Sequence, residues 1–344
     1  MRLRNFIRLT LTAVVLTFIV ILLGAWVRLE DAGLGCPDWP GCYGMLVGVP
    51  QTDAAIEAAN QAYPERPVEV GKAWKEMIHR YAAGVLGLIV FVLTVAAVRN
   101  RRDPAQPLAL PLALAVLIIA QSILGMWTVT WQLKPLVVTL HLLGGMTTLA
   151  LLWWMALRTG RLMPPDATAA AARLRPWVLA ALAVVVGQIL LGGWVSTNYA
   201  ALACTEFPQC GGEWVPEANY RDAFVLWHGL GVDYEFGNLD HPARVAIHFV
   251  HRVGAVVTAL VVLALAAAVW ARTPGRWSRG ITLAMVAALV VQWVLGITNV
   301  VASLPLSVAV AHNGGAAVLL LTVITLYHVL RPLPAPAAAA ALRT

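Results

Sequence analysis

Eight apolar stretches dominate this sequence, at roughly 9–29, 77–98, 108–130, 136–157, 176–196, 243–270, 280–300 and 306–330. Each is close to the ~20 residues that a helix needs to cross the hydrocarbon core of a bilayer. Where no water is present, the backbone must satisfy its own hydrogen bonds, and an apolar run of that length does so as a helix. With 60 % hydrophobic and 12 % charged residues and a positive mean hydropathy, the chain is too apolar to be soluble at this length. The expectation is an all-α polytopic membrane protein with eight transmembrane helices. No soluble domain is left over, and the longest polar stretches are loops around 30–74 and 197–242.

A net charge of +7 raises the question of nucleic acid, but the placement of the charge answers it. Arg2, Arg4 and Arg8 precede the first span, and Arg99, Arg101 and Arg102 follow the second. Arg158, Arg161, Arg173 and Arg175 join the fourth to the fifth, and Arg272, Arg276 and Arg279 join the sixth to the seventh. Arg331 and Arg343 follow the eighth. Basic residues in alternate loops and at both ends follow the positive-inside rule, which puts both termini in the cytoplasm and the two long loops outside. Topology accounts for the basicity, and no nucleic-acid partner is expected. The first span begins like a signal peptide, but no small-x-small cleavage site follows it, so it is kept as a helix. The absence of a transit-like extension favours a bacterial inner membrane. The tail PLPAPAAAAALRT is low-complexity and is expected to be disordered.

The chain also repeats itself. His79 and His141 lie 62 residues apart, His251 and His312 lie 61 apart, and the second pair trails the first by 172 and 171 residues. Trp26 in GAWV matches Trp194 in GGWV, Cys36 and Cys42 match Cys204 and Cys210, and Gln121 and Gly125 match Gln292 and Gly296. Each copy holds four spans, an even number, so the copies insert in the same orientation, as in parallel repeats. The expected architecture is two parallel four-helix bundles related by internal duplication. Residues 1–157 form the first half, 158–175 a cytoplasmic linker, 176–330 the second half and 331–344 the tail.

Histidine inside a membrane is costly and marks a functional site by default. A lone one serves as readily in an interhelical hydrogen bond or a proton relay. Two pairs at matched spacing on matched helices point instead to metal ligation, because a pair on facing helices of a bundle can hold iron from both sides. Structural zinc would want four ligands, usually with thiolate, and the cysteines lie in the loops. The small residues Gly144, Gly145, Gly254, Gly314 and Gly315 let helices approach closely and also leave room for a flat macrocycle. A haem in each half is therefore expected, on His79 and His141 and on His251 and His312. His228, His241 and His328 have no repeat partner and are read as surface or loop residues.

The copies differ at one telling place. KEMIHR in the first becomes IHFVHR in the second, so Glu76 stands where His248 does, three residues before the ligand. A three-residue step keeps both side chains on neighbouring parts of one helical face. A carboxylate there can act as a general base; the competing reading is a solvated acid paired with Lys72 or Lys75. Arg80 and Arg252 follow the ligand histidines, and Arg28 closes the first span. All three suit haem propionates through charge-assisted bonds, with snorkelling to lipid headgroups as the alternative. CPDWPGC and CTEFPQC place Cys36 with Cys42 and Cys204 with Cys210, each pair able to close a small ring in an oxidising compartment. Such a ring serves as a loop staple or as a redox-active pair.

GAWVRLEDAGLGCPDWPGC, KEMIHR, TLHLLGG, GGWVST, FVHR and VAHNGG, in this order, resemble the signature set of the haem A synthases over essentially the whole chain except the tail. The resemblance implies an oxidoreductase that converts haem O to haem A by oxidising one ring methyl to a formyl group, for use by terminal oxidases. It implies that His79 and His141 flank the substrate haem, that His251 and His312 ligate a haem b cofactor, and that Glu76 is the catalytic carboxylate. The cysteine pairs match family members with disulfides in both outer loops. Haem O synthase is the implied source of substrate; the electron partner is not implied. A purely electron-transferring di-haem b cytochrome, working between quinol and an outer partner, explains the four histidines equally well but leaves Glu76 without a purpose. A parallel-repeat transporter is the third reading, and no broken-helix signal supports it.

Overall fold

The computed structural model describes residues 1–160 and 162–331; the expected disordered tail beyond Arg331, with Arg343, and Arg161 in the linker lie outside the described residues. Among the described residues there are eleven helices and no strand. They are α1 (Leu3–Leu29), α2 (Asp53–Ala62), α3 (Val70–Arg99), α4 (Ala109–Thr130), α5 (Pro135–Gly160), α6 (Ala169–Ala172), α7 (Arg175–Thr197), α8 (Tyr220–Ala223), α9 (His241–Arg272), α10 (Arg276–Val301) and α11 (Leu306–Val329). Eight are long and apolar enough to cross a membrane: α1, α3, α4, α5, α7, α9, α10 and α11. The shortest of these, α4 with 22 residues, spans ~33 Å, enough for a hydrocarbon core of ~30 Å. The chain is an all-α polytopic membrane protein, as the apolar stretches require.

Local chemistry sets the helix starts. Asp240 accepts from the Ala243 amide at 2.9 Å and Pro242 occupies the first turn of α9, where a missing N–H costs nothing. Pro176 does the same for α7. On several spans the outward side chains are as apolar as the buried ones: Leu88, Phe91, Val116 and Ile119 are each more than 60 % exposed. In water such a surface would aggregate; facing lipid it needs no cover.

The eight spans pack as two rings. In the first, α1 packs on α3, α3 on α4, α4 on α5 and α5 on α1; in the second, α7 packs on α9, α9 on α10, α10 on α11 and α11 on α7. The rings meet through α1 with α11, α5 with α7, and α5 with α11. One apolar core runs through both, with Leu149, Leu152 and Met155 of α5 beside Val178 and Ala181 of α7 and Val323 and Leu326 of α11. At this seam the Trp153 indole N–H donates to Thr325 Oγ1 at 2.8 Å.

The two long loops gather at one end, here called the loop face, with α2 in the first and α8 in the second. Cys36 is bonded to Cys42 and Cys204 to Cys210. Each disulfide sits in a tight reversal whose backbone pairs Cys42 with Met45 and Cys210 with Glu213. The second loop reaches over the first half. The Tyr234 amide donates to Gln132 O at 3.0 Å, Lys134 donates to Gly229 O, and Arg66 pairs with Asp233 and Glu235.

Candidate active site: opposed histidines and a buried carboxylate

In the first ring α3 and α5 stand diagonally, each packed on α1 and α4, and they are not themselves a packed pair among the described residues. His79 lies on α3 and His141 on α5, the two helices of that diagonal. The second ring repeats the plan, with α9 and α11 on the diagonal carrying His251 and His312. The sequence pairing of the four histidines therefore survives in space.

Each imidazole lies against a glycine of the neighbouring helix. A Cβ on Gly24 of α1 would sit 3.0 Å from His79 Cε1, and one on Gly192 of α7 would sit 3.2 Å from His251 Cε1. A Cβ on Gly125 of α4 or Gly296 of α10 would sit 3.4 or 3.3 Å from the corresponding atom of His141 or His312. The Nδ1 atoms of His79, His141 and His312 are buried with no hydrogen-bond partner. Buried imidazoles whose nitrogens lack a protein partner suit a ligand that would take them. Two histidines on the diagonal helices of one ring are a donor set that suits a metal in a flat macrocycle. They do not suit tetrahedral zinc, and among the described residues no group of three or more His, Cys, Asp and Glu side chains gathers as a metal cage.

Three glutamines complete the surroundings. Gln121 of α4, Gln188 of α7 and Gln292 of α10 fill the space that a side chain at Gly144, Gly254 and Gly315 would take. These glycines lie three residues after His141, His251 and His312. The Gln188 amide donates to His251 O at 3.0 Å and lies 3.1 Å from His251 Nδ1. His79 is the exception, with Ala82 at the position three residues on. Gln121 and Gln292 were visible in the sequence only as repeat landmarks, and Gln188 was missed. The glycine three residues after each of three histidines was the signal for all of them.

Glu76 is 5 % exposed. Its Oε1 takes a bond from Arg80 Nη2 at 2.5 Å, and its Oε2 takes one from the Cys36 amide at 2.9 Å. It is therefore not the solvated acid of the competing reading; Lys72 pairs with Glu69 and Lys75 with Glu30 instead. A buried carboxylate persists because it is both paired and hydrogen-bonded. The disulfide loop thus reaches down to hold the carboxylate through Cys36. In the second half His248 takes the place of Glu76 and is equally buried.

The arginines have protein partners. Arg80 Nη1 donates to the carbonyls of Asp38, Pro40 and Gly41, and Arg252 donates to those of Cys204, Glu206 and Gln209. Each clamps the disulfide loop of its own half. Arg28 donates to Ser196 O at 2.6 Å and lies 4.0 Å over the Tyr199 ring, which puts it on the seam. His228 and His241 are exposed, as expected. His328 is not a surface or loop residue: it is 1 % exposed near the end of α11, edge-on to Trp154, with Arg331 donating to its Nε2 at 2.9 Å.

Residues 7–324 match the family described as COX15-CtaA, cytochrome oxidase assembly protein. The chain belongs to that family. A protein of Shewanella oneidensis named heme A synthase is 47 % identical over 332 residues, covering 96 % of this chain and 97 % of that protein. Heme A synthases of Rhodospirillum centenum and Halalkalibacterium halodurans are 31 % identical over 341 residues and 26 % identical over 310. The first covers 93 % of this chain and 87 % of that protein; the second covers 88 % and 89 %.

Proposed function

We propose that the chain is a haem A synthase, an oxidoreductase that converts haem O to haem A by oxidising one ring methyl to a formyl group. The observation that carries this is the pairing of two similar histidine sites with one buried carboxylate, Glu76, in only one of them. A pure electron carrier needs no such group. The match to proteins named heme A synthase over nearly their whole length supports the same reading.

The two halves have different jobs. Residues 1–157 hold substrate haem O between His79 and His141, and residues 176–330 hold haem b between His251 and His312, joined by the linker 158–175. Internal duplication accounts for the plan: exchanging the rings maps each set of helix contacts onto the other, including those at the seam. Propionates are assigned to Arg28, Arg80 and Arg252 at the donors their protein contacts leave free; Arg252 Nε is buried without a partner. The cysteine pairs act as staples that position the loops.

When bound, haem b supplies one-electron chemistry. The chain supplies position and a proton acceptor. Glu76 lies one turn before His79, so its carboxylate borders the edge of whatever His79 holds. Arg80 and the Cys36 amide fix both oxygens, which leaves the outward lone pairs for water or a substrate hydroxyl. Each of two successive oxidations replaces one C–H of the methyl with C–OH, water giving the oxygen while two electrons leave to an external acceptor and two protons are released. The geminal diol so formed loses water to give the aldehyde. Glu76 takes a proton from the attacking oxygen and, in the dehydration, from the hydroxyl that becomes the carbonyl, and Arg80 keeps the carboxylate from drifting while it does so.

The protein sits in a bacterial inner membrane with both termini in the cytoplasm, a reading supported by the arginine-rich alternate loops. Haem O, with its long apolar tail, enters sideways through a lipid-facing opening in the N-terminal half, handed over by haem O synthase. Single-site variants test the division of labour. Purified His251→Ala is expected to lose haem b and keep substrate haem, and His141→Ala the reverse. Loss of both haems together, or of haem b from the His141 variant alone, would overturn the assignment.

A further inference from the structure

The end opposite the loop face has a charge problem that the haem sites do not use. All six ion pairs among the described residues lie at the loop face or on its border with the spans. Only two acidic residues of the chain, Asp103 and Asp166, fall in the segments at the opposite end. Both are committed: Asp103 accepts from the Ala105 amide, and Asp166 accepts from the Trp277 and Ser278 amides at the start of α10.

At that end, where α5, α7 and α11 meet, four arginines stand together, and none of them is ion-paired with a carboxylate among the described residues. The rings of Trp154 and Tyr327 lie 5.8 Å apart. The Arg175 guanidinium sits 4.2 Å over Tyr327, and that of Arg158 sits 5.7 Å over Trp154. Arg331 is anchored beside them on His328, through the ring nitrogen and the carbonyl. Burial, then the charges of Arg158 and Arg175, lower the Arg331 pKa from its ordinary value. Arg175 Nε is buried with no partner. Like charges held this close on a hydrophobic platform are unfavourable unless an anion joins them.

The shape beside them says which anion. A groove of about 490 Å³ runs between Arg173, Arg175 and Tyr327 at one end and Pro176 and Leu179 at the other. Leu179 and Val186, seven residues apart and so on one face of α7, are exposed on the outer surface that faces lipid. A cationic mouth that continues onto an apolar, lipid-facing wall fits one molecule with both properties. We propose that this seam is a binding site for an anionic phospholipid. Its phosphate sits among Arg158, Arg173, Arg175 and Arg331, and an acyl chain lies along Leu179 and Val186. Basic pockets between spanning helices take such headgroups for these reasons. Guanidinium forks pair with phosphate oxygens bidentately. The lipid neutralises the seam and ties the two rings together, independently of what the rings hold.

The test is lipid retention by the full chain during stepwise delipidation, read by native mass spectrometry with phosphatidylglycerol or phosphatidylcholine supplied equally. Wild type is expected to keep phosphatidylglycerol about tenfold over phosphatidylcholine, with inorganic phosphate failing to displace it. R158Q/R175Q/R331Q is expected to lose that preference, while R99Q/R101Q/R102Q, with three arginines removed elsewhere at the same end, keeps it. Equal loss in both variants would make the effect a general surface charge and overturn the site. Displacement by inorganic phosphate would replace the lipid with a free anion. Should the seam variant fail to accumulate, wild type with a photoactivatable phosphatidylglycerol acyl chain serves instead. Adducts on the 172–186 segment are expected, and adducts confined to other segments would refute the proposal.

Discussion

Arg80→Leu and Arg252→Leu form a matched pair of perturbations because the halves share a plan. Each arginine donates to three loop carbonyls at 2.5–3.3 Å, so each variant strands a similar set of acceptors. That common loss cancels in the difference between them. What remains is Glu76, whose side chain is 6 % exposed and whose only cationic partner is Arg80. Removing one member of a buried pair costs about 3–5 kcal/mol, because the other charge is left uncompensated. That is roughly 2 to 4 powers of ten in the folded-to-unfolded ratio. In SDS titrations of purified protein in mixed micelles, Arg80→Leu is expected to unfold at clearly lower SDS than Arg252→Leu. Adding Glu76→Leu to Arg80→Leu is expected to recover most of the gap, a coupling that a double-mutant cycle isolates. Equal destabilisation by the two arginine variants, with no recovery, would refute the idea that Arg80 is there to hold a buried carboxylate.

Further expectations follow from other contacts. Gly192→Ala puts a Cβ 3.2 Å from His251 Cε1, while Gly187→Ala on the same helix meets nothing within 4 Å; the first is expected to lower the bound haem b absorbance and the second to leave it unchanged. Replacing Cys36 and Cys42 with serine opens a short ring and is expected to cost roughly 2–3 kcal/mol in the same SDS titration. It should also weaken Glu76, whose Oε2 is held by the Cys36 amide. Tyr43, in the first loop, donates to the Arg66 and Pro67 carbonyls, and burial, then the charges of Glu69, Glu76 and Asp38, push its pKa up to about 12. A phenol raised in the folded state gives stability that is complete below pH ~10 and is lost as pH climbs toward ~12. Tyr43→Phe is expected to flatten that part of the thermal-stability profile relative to wild type.

The sequence disclosed what depends on composition and spacing. Eight apolar runs of near-constant length allow only spanning helices, and the 62- and 61-residue histidine spacings put each pair on the two diagonal helices of one ring. Glu76 stood out because its repeat partner is a histidine. Contacts between halves were illegible. Nothing local says that Arg66 would meet Asp233 and Glu235, residues 167 and 169 positions away, or that the second loop would cover the first ring. Arg80 and Arg252 were read from the sequence as propionate partners, and their further bonds to the loop carbonyls were not foreseen, because only the folded disulfide ring presents those acceptors within their reach. His328 was misread because its spacing has no repeat partner, while its burial comes from Trp154 and Arg331, which only the fold brings near.

The most direct measurement is the haem content of protein purified from cells that supply haem O, by acid extraction and chromatography, for wild type and Glu76→Ala. Wild type is expected to yield haem b together with haem A or hydroxylated haem O, and the variant haem b with accumulated haem O. Haem b alone in both, with no modified haem, would contradict the synthase assignment and reduce Glu76 to a buried partner for Arg80.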